Sequence, residues 1–267
     1  MGGSADTVSL RPQNAGGAPR AQGAAGSGLG WRLLKLLAAL LLIPACVGLT
    51  LGVQEHFLAA WPKLNLALYG PGALLKWFLA GAAVFTVLAI LLWRPVTLYV
   101  FSHELVHALA AWLCLGKVSN LAASTNGGQV STSKSNTFIR LAPYCVPLYA
   151  LLTAGLYLAL DAWWRPLGAH LRWLACALGF FYAFHLGFTL WSLRRSQPDL
   201  KPDGWLFSLV LIYIGNAAAF VLLLGFLAEG RAGGAWLALR DSAVLAGRHC
   251  LEIYQNLLAM ARQLINR

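Results

Sequence analysis

Apolar residues along this chain gather into long blocks separated by short polar breaks. Trp31 to Val53 is the first block, with Arg32 and Lys35 at its start, and Ala73 to Leu92 is the second, closed by Trp93-Arg94-Pro95. Leu98 to Leu115 is the third, Leu141 opens a fourth that ends near Leu160, and Leu171 to Leu193 and Trp205 to Leu227 follow. At about 1.5 Å per helical residue, blocks of this size match the ~30 Å hydrocarbon layer of a bilayer. The pattern predicts an all-α polytopic membrane protein with about six transmembrane helices.

The breaks have characters of their own. Residues 1–30 are rich in Gly, Ala, Ser and Pro, a composition that cannot bury enough surface to order itself, so we read a disordered leader. It is too long for the charged region of a cleavable signal peptide. Gly116 to Arg140 is the most polar interior stretch. Asn126-Gly127-Gly128 is a turn signal between short flanks carrying Val118 and Val130, which predicts a β-hairpin, with a plain extramembrane loop as the alternative. From Ala235 to Arg267, Trp236, Leu237, Leu245, Leu251, Ile253, Leu257, Leu258 and Ile265 alternate with Arg240, Asp241, Arg248 and Arg262. This spacing predicts an amphipathic helix lying on the membrane surface, or else docking onto the bundle. The chain therefore divides into a leader (1–30), a transmembrane domain (31–230) and a C-terminal helix (231–267).

Composition agrees. The 267 residues are 59% hydrophobic and 11% charged, with a mean hydropathy of +0.65. Soluble domains carry about 25% charged residues. The formal charge of +11 does not indicate nucleic acid, because the basic residues stand singly at the ends of apolar blocks or in the terminal segments. There they act as topology signals and meet anionic headgroups, and the basic leader sets the N-terminus in the cytoplasm. Cys46, Cys114, Cys145, Cys176 and Cys250 form no C-x-x-C pair, and we read them as small core residues.

One block contains chemistry. His103-Glu104-Leu105-Val106-His107 places two imidazoles four residues apart on one helical face, with a carboxylate beside the first. That is the H-E-x-x-H arrangement, in which both histidines bind zinc and the glutamate acts as general base. A glutamate near the bilayer centre costs about 3 kcal/mol on insertion scales, so its presence there asks for a function. A polar cluster that merely bridges helices is the plain alternative.

These residues resemble the site-2 protease family of intramembrane zinc metalloproteases, and the match suggests a divergent branch. The matching pieces are His103-Glu104-x-x-His107 in an apolar helix, the Gly127-Gly128-x-Val130 hairpin, and a proline- and aspartate-containing segment before a later span; together they run from about Trp93 to Asn216. In that family the third zinc ligand is an aspartate from an N-P-x-P…D-G segment. Here Gln197-Pro198-Asp199 stands where Asn-Pro would be, and Asp203-Gly204 ends the segment.

The resemblance implies a zinc site of His103, His107 and Asp199. His185 is a rival third ligand, with a backbone-bonded intramembrane histidine as its plain reading. Asp203 is another, with an interfacial helix cap as its alternative. By helical rise His103 lies about 13 Å from Arg94 and His185 at a similar depth from Arg194, whereas a simple count of spans places Asp199 at the face opposite Arg94. Asp199 then reaches the zinc only if its segment folds back inward.

The expected activity is hydrolysis of peptide bonds in membrane-associated protein or peptide substrates, with zinc as cofactor and Glu104 activating the bound water. Asn126 or Asn136 is expected to assist at the oxyanion if the hairpin lies against the site, and the strand around Gln129 to Thr132 to pair with an unwound substrate. Short loops suit a bacterial cytoplasmic membrane. No nucleic acid is implied, and no feature specifies an oligomeric state. Two other classes are a non-catalytic zinc-binding membrane protein and a transporter or assembly factor; no internal repeat supports the transporter.

Overall fold

The computed structural model describes residues 28–60, 71–91, 95–124, 127–164, 170–195, 197–229 and 232–266. Most of the leader, Arg94 and Asn126 fall outside them. The elements are α1 (Leu29–Ala60), α2 (Pro71–Leu91), α3 (Val96–Leu113), β1 (Val118–Ser124), β2 (Gly127–Thr132), α4 (Thr137–Cys145), α5 (Leu148–Trp164), α6 (Leu171–Leu193), α7 (Trp205–Glu229) and α8 (Ala232–Ile265).

Helices α1, α2, α3, α6 and α7 are long and apolar enough to cross a membrane, and α4 with α5 makes a sixth candidate. Leu33, Leu37, Leu40, Leu79, Val87, Ile90 and Leu152 are exposed on the outer faces of the bundle. Hydrocarbon covers such a surface; water does not. The chain is a multi-pass, all-helical membrane protein with one small antiparallel sheet among the described residues.

The fourth apolar block is not one helix. It breaks into α4 and α5, which meet at 72°. Pro147 has no N–H to continue the helix, and it pushes the preceding Val146 into an extended conformation (φ −101°, ψ 106°). The break leaves the last carbonyls of α4 in need of donors at membrane depth.

Helices α2 and α6 form the tightest pair. A Cβ on Gly81 would stand 1.8 Å from the Cys176 carbonyl oxygen, and one on Gly179 would stand 1.8 Å from that of Phe78. The two backbones therefore touch, as small residues permit in membranes. They run in the same sense, with Trp77 beside Trp173 (5.8 Å) and Phe85 beside Phe184 (5.6 Å). Phe78, Leu178, Tyr182, Leu223 and Leu227 fill the core between them and α7.

Helix α3 rises towards the same end as α6. Tyr99 stacks on Phe188 at 5.0 Å, and His103 lies beside Asp199 in the turn beyond α6. Helix α4 also starts there, where Thr137 donates to Asp203 (2.8 Å) and Arg140 holds the same carboxylate. The chain between α2 and α4 thus leaves and rejoins one end of the bundle. This corrects the depth argument from sequence: the rise of α3 from its start carries His103 towards Asp199, not away from it.

The hairpin forms, with Val118 paired to Thr132 and Ser124 to Gly127 and an irregularity between Ser119 and Ala122. Asn120, in the left-handed region at φ 54°, lies within that irregularity. Helix α8 docks along α1 instead of lying apart on the surface. Gly48 and Gly52 of α1 meet Ala246, His249 Nε2 lies 2.8 Å from Glu55, and Tyr254 donates to the Leu41 carbonyl.

Candidate metal centre

His103 and His107 lie on the buried face of α3, one turn apart. Asp199 comes from the turn between α6 and α7, and its Oδ2 is 3.6 Å from His103 Nε2 and 3.5 Å from His107 Nε2. One ligand atom from each of the three side chains lies within 4.8 Å of the others. Tetrahedral zinc, with bonds of about 2.0–2.2 Å, holds its ligand atoms roughly 3.3 Å apart. The two spacings to Asp199 are within a few tenths of an ångström of that value.

The second nitrogens are already engaged. His107 Nδ1 donates to the Ile139 carbonyl at 2.8 Å, and His103 Nδ1 faces the Tyr99 hydroxyl at 3.3 Å. The Ile139 carbonyl holds the His107 proton at Nδ1 and so leaves its Nε2 lone pair for the group, and His103 Nε2 faces the same point. The donor set of two neutral imidazoles and one carboxylate fits zinc, and with three protein ligands it keeps a position for water.

Glu104 faces the hairpin. A Cβ added to Gly128 would lie 2.5 Å from Glu104 Cγ and 2.8 Å from its Oε1, so β2 can press on this side chain only because the position is glycine. Glu104, both histidines, Asp199, Gln129 and Trp191 line one cavity of about 510 Å³. Arg195 lies over Trp191 at its rim, 3.9 Å from the ring centroid.

The other candidates do different work. His185 Nε2 is 3.1 Å from Asn216 Oδ1, and the histidine is outside the three-residue group. Asp203 is buried and fully engaged: it pairs with Lys35 of α1, accepts from Thr137 (2.8 Å), and takes two bonds from Arg140 (Nε 2.9 Å, Nη2 2.7 Å). Burial alone pushes its carboxyl pKa up, but the hydrogen bonds from Lys35, Thr137 and Arg140 outweigh that and hold it below the usual carboxylate value. Asn136 caps α4 by accepting from the Ile139 N–H (2.8 Å), which spends its side chain on the helix and not on an oxyanion. Asn126 lies outside the described residues.

Sequence reasoning missed Tyr144 and Asn216. Both are polar groups inside apolar blocks, the signal that singled out Glu104 and His185. Comparison with family models, with curated proteins and with solved structures found no match to this chain.

Proposed function

We propose that this protein is a zinc-dependent intramembrane peptidase. The observation that carries the reading is the convergence of two imidazoles and a carboxylate on one point, with a further carboxylate, Glu104, in the same cavity. Bound zinc would supply Lewis-acid polarisation and acidify a water molecule. His103, His107 and Asp199 would hold it. Glu104 would take the proton from the attacking water on its carboxylate and then return it to the departing amine nitrogen, so its charge state is the same before and after turnover. The β2 edge, beside Glu104, supplies main-chain groups to which an unwound substrate segment would pair.

The cavity lies at the end of the bundle where Arg140 and Arg195 line it and Arg32, Lys35 and Lys201 surround the adjoining Asp203 turn. By the positive-inside rule this is the cytoplasmic end, and the short connections fit a bacterial cytoplasmic membrane. Substrates would be membrane proteins or peptides whose cleavage site enters from the bilayer. The test is purified protein in micelles, with metal analysis and cleavage of a panel of transmembrane peptides. Stoichiometric zinc in both wild type and Glu104→Gln, with cleavage lost by at least about 100-fold in the variant, supports the reading. A metal-free wild type, or cleavage unchanged by Glu104→Gln, refutes it.

A further inference from the structure

Tyr144 is fully buried in the last turn of α4, and its ring stands edge-on to His103 with centroids 4.9 Å apart. Its hydroxyl donates to Asp199 Oδ2 at 3.0 Å, the same oxygen that faces both imidazoles, with Gln197 Oε1 a second acceptor at 3.3 Å. Asp199 sits in a turn, not in a helix or strand, so its own backbone does little to fix the carboxylate.

The backbone of Tyr144 is held just as firmly. It lies at the break between α4 and α5, where its carbonyl has lost the next helical N–H. Asn216 of α7 donates to that carbonyl through Nδ2 at 2.8 Å and also to Ile212 O at 2.8 Å. Asn216 Oδ1 in turn faces His185 Nε2 at 3.1 Å, and Tyr182 donates to the Asn216 carbonyl at 2.9 Å. These buried polar groups line up from α6 through α7 to α4. The Tyr144 carbonyl freed at the break thus finds a side-chain donor, as a membrane interior demands of exposed backbone.

We propose that Tyr144 is a positioning residue for the third metal donor: its hydroxyl aims Asp199 Oδ2 at the point where the two imidazoles meet, and the Asn216–His185 pair fixes Tyr144 by gripping its main chain. This gives His185 a role without ligation. The proposal rests on the reading that His103, His107 and Asp199 bind metal. Hydrogen-bonded partners of ligands commonly change metal affinity 10–100-fold when removed, because they set the orientation and basicity of the donor.

The experiment compares full-length wild type, Tyr144→Phe, Asn216→Ser and the double variant in micelles. Zinc affinity is read by competition with a chromophoric chelator, and the ligand field by the visible absorption of cobalt-loaded protein. Tyr144→Phe keeps the ring against His103 and removes only the hydroxyl, so the melting temperature of the metal-free protein should stay within about 2 °C of wild type, a small shift for a chain of this size. Zinc dissociation constants should rise about 10-fold or more, and the cobalt bands should change in position or intensity. Asn216→Ser should weaken zinc in the wild-type background and add less than about twofold to Tyr144→Phe, because it acts through the same hydroxyl. Wild-type zinc affinity and an unchanged cobalt spectrum in Tyr144→Phe overturn the proposal while leaving the metal site standing. A wild type that takes up neither ion overturns the metal reading itself.

Discussion

Replacing Asp203 by Asn tests how firmly the segment bearing Asp199 is anchored. The carboxylate makes an ion pair with Lys35, accepts from Thr137 at 2.8 Å and takes a forked pair of bonds from Arg140 at 2.9 and 2.7 Å. Asparagine keeps the shape and one acceptor but removes the charge. Breaking one side of a buried ion pair costs about 3–5 kcal/mol. The Lys35 and Arg140 side chains are 11% and 18% exposed, so each regains some hydration when its partner is neutralised, and the lower figure of about 3 kcal/mol applies. For a chain of this size that is a fall of about 6–12 °C in melting temperature. The assay is thermal unfolding of chelator-treated protein in micelles at one scan rate, because unfolding of such proteins is commonly irreversible. The pH dependence has a definite sign. The native Asp203 pKa lies below its unfolded value, so its contribution is complete above about pH 4 and fades as pH falls through the native value. The gap between wild type and variant should hold from pH 7 to pH 5 and close below about pH 4. A gap under about 2 °C at pH 7, or one that already closes by pH 5, refutes the account of a buried clamp.

Other substitutions probe neighbouring parts. Gly128→Ala would place a methyl 2.5 Å from Glu104 Cγ and 2.6 Å from Val100 Cγ1, so the hairpin must lift or Glu104 must swing; cleavage should fall at least about 10-fold while bound zinc, measured by elemental analysis, stays stoichiometric. Gly179→Ala sets a methyl against the Phe78 carbonyl, a backbone atom that cannot step aside, and should lower stability by about 3 kcal/mol or more, read as loss of folded protein during thermal challenge.

Much of the architecture was legible because a bilayer leaves few choices. The long apolar blocks become α1, α2, α3, α6 and α7 almost unchanged, and Asn126-Gly127-Gly128 marks the hairpin. The break at Pro147 was less visible, since proline is tolerated inside membrane helices, and Pro44 indeed sits within an unbroken α1. The difference lies in the partners: Asn216, backed by His185, donates to the freed Tyr144 carbonyl of α4, and only the fold shows that. The same holds for the site. Helical spacing alone sets His103 and His107 on one face, but counting spans treats every apolar block as a full crossing. Here α3 rises towards the same end as α6, and that brings Asp199 within reach. The sequence favours Asp199 over Asp203 only through the resemblance; what separates them physically is the company that Asp203 keeps with Lys35, Thr137 and Arg140.

The excursion made by α3 and the hairpin has a bookless logic of its own: it departs from the end of α2 and delivers the chain to the start of α4 at that same end. Such a detour is silent in topology. If a plain connection replaced the whole unit, the end of α2 and the start of α4 would still meet at one end of the bundle, so the sense of α4 to α7 need not change. A fold arranged in this way can remodel α3 and the hairpin without turning the remainder inside out.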